Sequence, residues 1–441
     1  MFAGRHRYLI LLLVTSALGM ALVDRAVMSI AAPSLSHELG MDSVALGWLF
    51  SSFTWSYVVA QLPAGWLVDR MGARRAVMVC LMGWAVVSAC LGLVGNLSHA
   101  LYWMVVLRIL AGLLQGPIVP ASGMSIAAWF PASERGFAGA MFGSSNYLWL
   151  AVFTPLLGWL SYRFGWQSMF YCTSAAVALL GWAWWRNFHM PRAHRRVHAS
   201  EIVLLEEGGA AVDIGTRAKA SSRTSLGDLK AMLSNRMVLG ILISQYGISA
   251  VTWFYVTWFP IYLVQGRGMT LVEAGAAASI PALCGFAGGV SAGVFSDRLL
   301  KATGSLSVAR MLPVLIGAGM MVVSFVGCIY AGPDWLVVAL LSVALFGKGF
   351  STLVWTLVGD VFPARTIGLA GGVVNTMANV SGIVTTIAIG YLVSLTGSLD
   401  SALWLMAGHA AMAMISHVLL VRKVEPMEPG PPVTAAAIKS A

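Results

Sequence analysis

Gly65-Trp66-Leu67-Val68-Asp69-Arg70 and, far downstream, Gly293-Val294-Phe295-Ser296-Asp297-Arg298 are two copies of one pattern. A second pair keeps nearly the same separation: Phe130-Pro131-Ala132, with Gly136, Ala138 and Gly139, returns as Phe362-Pro363-Ala364, with Gly368, Ala370 and Gly371. One short match would carry little, but two in register predict an internal duplication. Around them lie twelve apolar runs, the first near 8–32 and the last near 401–421, each long enough to cross a bilayer as a helix of about 20 residues. The 441 residues are 59% hydrophobic and 10% charged, with a mean hydropathy of +0.81. That balance excludes an ordinary soluble domain. The expected fold is an all-α membrane protein of twelve transmembrane helices in two pseudo-symmetric six-helix halves, 1–186 and 237–421. Residues 187–236 form a charged linker between them, and 422–441 a short tail.

A net charge of +10 raises the possibility of a nucleic-acid partner, but the cations alternate between loops instead of forming one stripe. With the N-terminus assigned to the cytoplasm, 22 of the 27 Lys and Arg fall on that side, while Arg163 and Arg267 lie in opposite loops. Both termini, the linker and the tail are therefore expected inside, in a multi-pass protein of the cell (inner) membrane. Arg5-His6-Arg7 before an apolar run imitates a signal peptide; Asp24-Arg25 interrupts that run and no small-residue cleavage site follows, so it reads as the first span. The five cysteines all lie in apolar runs without metal-ligand spacing and read as packing residues. The sequence has no nucleotide loop, metal cluster or nucleophile motif, so no enzyme, cofactor or metal is expected. A membrane sensor would need a signalling domain, for which neither linker nor tail is large enough.

Four charges stand inside apolar runs: Asp24, Arg25, Arg108 and Lys348. Each costs roughly 2.5 to 3.5 kcal/mol at the bilayer centre unless it faces water or a partner. Three cations against one carboxylate point to a cavity that handles anions. The competing reading has Asp24 and Arg25 neutralising each other and Lys348 snorkelling to a surface.

Gly65-x-x-x-Asp69-Arg70-x-Gly72-x-Arg74-Arg75 resembles the signature loop of the major facilitator superfamily. That resemblance implies alternating access by rocking of two six-helix halves about a central site. Asp69, Arg70 and Arg74, with Asp297 and Arg298 in the repeat, would then make cytoplasmic contacts that break as the halves part. A finer likeness, to the sugar-acid permeases of the anion:cation symporter branch, rests on several stretches. These are Asp24-Arg25, Arg108-x-x-x-Gly112, Ala128-Trp129-Phe130-Pro131, Thr257-Trp258-Phe259-Pro260, Gly347-Lys348-Gly349 and Asn379-Val380-Ser381-Gly382.

By that likeness Arg25 and Arg108 would hold the substrate carboxylate, for which a planar guanidinium that stays charged when desolvated is suited. Tyr57 with Gln61, and Asn375 with Asn379, would bond hydroxyls; each pair is four apart and so shares a helix face. Asn146 stands where the sugar-acid carriers have Gln, Leu22 where they tend to have Tyr, and Ser249 where Asn is expected. Gln115 replaces a Glu implicated in proton coupling, which leaves Asp24 as the acid for that task. The implied partners are a small organic anion, a proton and the lipid bilayer, with a monomer as one possible state. Two readings stay open: proton symport of a hexarate or aldonate, or uniport or exchange of a less hydroxylated or aromatic carboxylate with Gln115 bonding the substrate. Export of amphipathic compounds would want a large apolar cavity, against which the two arginines count.

Overall fold

A computed structural model of the protein describes residues 5–194, 197, 199–208, 210, 212, 226–363, 366–425 and 427. Within its helices a few side chains, that of Asp69 among them, lie outside the description, as do Ala364 and Arg365 of the second repeat. The described residues form twelve helical spans. In the first half these are Arg5–Leu39, Ser43–Met71, Ala73–Leu93, Ala100–Gln115 continued by Ile118–Trp129, Ala132–Phe164 and Gln167–Asn187. The second half contains Arg236–Thr257 continued through Gly266, Leu271–Thr303, Leu306–Tyr330, Asp334–Phe350 continued by Val354–Val361, Ile367–Thr396 and Asp400–Ser416 continued to Val421. Ten of them have the length and apolarity of a crossing by composition alone, and spans 5 and 6 complete the set. The chain is thus a multi-pass membrane protein. Of the linker, Ala199–Glu207 and Leu226–Ser234 are helical, and 213–225 lie outside the described residues.

Local chemistry sets the ends of the spans. The Asp42 carboxylate accepts from Ala45 N at 2.7 Å and caps span 2. Thr270 and Glu273 form a reciprocal capping box on span 8. Between spans 2 and 3 the chain turns on the single residue Gly72, whose φ of 76° suits glycine. Spans 4, 7 and 10 break within the membrane, near Gly116-Pro117, Trp258 and Ser351, where proline or a tightened turn interrupts the backbone ladder. The apolar runs gave no sign of these breaks, because hydropathy does not register a change of helix direction.

Each half packs internally, span 1 against 5, 2 against 4 and 3 against 6, with the analogous set in the second half. Across the halves span 2 meets span 11 and span 5 meets span 8. These seams close on the side opposite the termini, glycine against glycine. A Cβ on Gly390 would lie 2.5 Å from the Ser43 carbonyl oxygen, and one on Gly158 would lie 2.6 Å from that of Leu271. Gly47 and Gly275 face them from the other half. Toward the termini the same four spans carry Gly65, Gly139, Gly293 and Gly371, where an added Cβ would meet nothing within 4 Å. The halves therefore touch closely at the far side and separate toward the side of the termini.

Candidate functional site

Asp24 and Arg25 are neighbours in sequence but face different ways, since successive residues of a helix sit about 100° apart. Asp24 turns into the first half, where the residue is 1% exposed. Its Oδ1 accepts from Trp84 Nε1 at 3.0 Å and from Ser88 Oγ at 3.1 Å. Its Oδ2 accepts from Arg108 NH1 at 3.3 Å and from Gln115 Nε2 at 3.2 Å. The partner of Asp24 is therefore Arg108, in a fully buried ion pair, and not Arg25. Gly112 makes this possible: span 4 lies so close to span 2 there that a Cβ would collide with Ser56 and the Phe53 carbonyl. That contact holds Arg108 and Gln115, two turns apart, against the face of span 1 that carries Asp24. Breaking such a pair by removing one partner costs about 3 to 5 kcal/mol, because a charge is left buried alone.

Arg25 points instead to the seam between the halves. Its guanidinium carbon lies 4.7, 5.0 and 5.3 Å from the ring centroids of Phe53, Tyr57 and Trp253. Three aromatic faces stabilise the cation without neutralising it, and its Nε has no hydrogen-bond partner. The guanidinium opens onto a central cavity of about 250 Å³, just below the ~300–1,000 Å³ usual for small-molecule sites.

Of the residues the sequence singled out for substrate, Arg25, Tyr57, Asn146, Asn375 and Asn379 line this cavity. Arg108 and Gln115 do not; they sit behind it on Asp24. Gln61 is engaged across the seam, its Oε1 accepting from Asn375 Nδ2 at 2.6 Å. The lining also includes Gln245, Ser249 and Trp253 of span 7. Gln245 Nε2 donates to Ser249 Oγ at 2.9 Å, and Trp253 Nε1 to the Ala378 carbonyl at 3.0 Å. Sequence reasoning missed Gln245 and Trp253, although their spacing of four from Ser249 would have placed all three on one stripe.

The charges expected to gate the termini side are placed separately. Arg74 donates to the Trp185 carbonyl and lies 4.2 Å over that ring, both contacts within the first half. Arg70 lies 5.2 Å over Trp66. Asp297 and Arg298 are exposed, and the side chain of Asp69 lies outside the described residues. Arg310, which donates to Asp360 and to Ser296 Oγ, both at 2.7 Å, holds the corresponding end of the second half together.

A sequence model described as Major Facilitator Superfamily matches residues 12–386. A protein of Bacillus subtilis (strain 168) named "Probable galactarate/D-glucarate transporter" is 42% identical over 405 residues, covering 91% of this chain and 89% of that one. A protein of the same name from Escherichia coli (strain K12) is 42% identical over 431 residues, with 96% and 97% covered. Among solved structures, a bacterial homologue of the human lysosomal transporter Spinster, in an inward-facing and unoccupied conformation, superposes with a TM-score of 0.71. It does so at 13% identity, over 96% of this chain and 100% of the other.

Proposed function

Because the chain belongs to the major facilitator superfamily, and is a transporter and not an enzyme, we propose that it carries a sugar-acid anion, a hexarate of the galactarate or glucarate type, by alternating access. One observation carries the reading. Among the described residues, Arg25 presents to the central cavity a guanidinium without an ion-pair partner, while the only buried acid, Asp24, is already paired with Arg108. A carboxylate entering that cavity gains a charge-assisted bond in a setting where water competes weakly. Tyr57, Asn146, Asn375 and Asn379 supply the amide and hydroxyl groups that a polyhydroxylated chain requires. The names of the two relatives supply the substrate class.

The Lys and Arg distribution puts the termini in the cytoplasm, so a molecule closed at the opposite side faces inward. Import then consists of loading from outside, closure of the termini side, and release into the cytoplasm as the halves part there. We place proton coupling on Asp24. A proton on its carboxyl weakens the hold on Arg108, which links the charge of the site to the position of span 4.

Purified protein in liposomes, with a pH gradient and a membrane potential imposed separately and a panel of labelled carboxylates, tests this reading. Saturable accumulation of hexarates driven by outside acid is expected. Absence of uptake and exchange for every carboxylate would refute it, and accumulation that ignores the pH gradient would remove the proton.

A further inference from the structure

The central cavity holds a second cation, Lys348, and no acidic residue lines it. Among the described residues neither Arg25 nor Lys348 has an ion-pair partner. The two come from opposite halves, Arg25 from span 1 and Lys348 from span 10. The backbone around Lys348 is built to bring it there. A Cβ on Gly347 would lie 2.6 Å from the Gly317 carbonyl oxygen of span 9, and one on Gly349 would collide with the Gly285 carbonyl of span 8. Span 10 is thereby wedged between its two neighbours at this level, leaving the side chain between the glycines directed at the cavity. Its Nζ donates to the hydroxyl of Tyr147, on span 5 of the other half. A neutral phenol occupies the ammonium without cancelling its charge.

We propose that Lys348 is the second anion-binding residue of the site, holding the distal carboxylate of a dianion whose first carboxylate lies on Arg25. The inference rests on the transport reading above and deepens it, giving the second carboxylate of the hexarate its own partner. An ionised acceptor makes a stronger bond to the ammonium than the phenol does, so the ligand takes the place of Tyr147. With one end on each half, it also ties the halves together, and only a ligand charged at both ends does so. Two cations without a counter-charge are a poor match for a monoanion, which leaves one of them uncompensated.

The test compares galactarate with galactonate, which differ in having a carboxylate or a hydroxymethyl group at one end. Both are used as inhibitors of counterflow in proteoliposomes without a pH gradient. The wild-type protein is expected to prefer galactarate by about 10- to 100-fold, the value of one charge-assisted hydrogen bond. In Lys348→Met that ratio falls to within threefold of unity, and Lys348→Arg keeps a preference for galactarate. Tyr147→Phe, which removes the tie but not the charge, preserves the ratio. A ratio unchanged in Lys348→Met, or one lost in Tyr147→Phe, would make the lysine a structural tie between the halves and overturn the proposal. Should Lys348→Met fail to fold, the Tyr147→Phe and Lys348→Arg ratios decide alone. Inhibition of the wild-type protein by neither compound refutes the sugar-acid reading itself.

Discussion

Adding one methyl group on each seam, as Gly158→Ala combined with Gly390→Ala, should open the far side of the molecule. The new Cβ atoms would lie 2.6 and 2.5 Å from backbone carbonyl oxygens of the opposite half, whereas ordinary contact begins at 3.4 Å. Each shortfall is close to 1 Å, and the obstructing atoms are backbone, which cannot rotate aside. Overpacking of this kind costs about 1 to 3 kcal/mol per site. The two sites lie on different helix pairs and should add, giving roughly 2 to 6 kcal/mol. Both contacts exist only while the far side is shut, so the cost falls on that state alone and shifts the balance by about 30-fold to more than a thousandfold. Spin labels on the exposed Leu97 and Leu395, one in each half near the far side, would report the change in a background lacking the native cysteines. The distance distribution between them should lengthen in the double variant while the protein stays monodisperse. An unchanged distribution in a folded double variant would mean that the glycine seams do not determine closure.

Two further substitutions separate coupling from binding. Asp24→Asn places an amide where Arg108 and Gln115 both donate, so acid-driven accumulation should be abolished while substrate counterflow survives; normal accumulation would take the proton away from Asp24. Asp69→Asn should slow turnover several-fold and leave equilibrium affinity within a few-fold, because the loop acts on the rocking of the halves and not on the cargo; a collapse of binding in folded protein would contradict that.

The duplication made the fold legible: Asp69-Arg70 with Asp297-Arg298, and Phe130-Pro131 with Phe362-Pro363, mark equivalent ends of equivalent spans. The paired side chains Tyr57, Asn375 and Asn379 were legible for a related reason, since polar groups at helical spacing in an apolar segment must face something polar. Arg108 was not. Whether it turns to the cavity or to Asp24 depends on the rotation of span 4 against span 1, set by the close contact at Gly112 between two helices distant in sequence. Asp24 and Arg25 show the same limit in reverse, because adjacency suggested a pair while helical geometry drives the two side chains apart. The in-membrane breaks near Pro117, Trp258 and Ser351 come from prolines and a tightened turn in the backbone, which a window of hydropathy does not register.

Arg25 carries the central claim, and the most direct measurement is counterflow of labelled galactarate in proteoliposomes containing the wild-type protein or Arg25→Lys. The lysine keeps the positive charge but loses the planar fork and the stacking on Phe53, Tyr57 and Trp253. Saturable exchange by the wild type and a loss of about 100-fold or more in folded Arg25→Lys are expected, on the scale of two charge-assisted hydrogen bonds. Near-normal exchange by Arg25→Lys would contradict the claim that this guanidinium binds the transported anion.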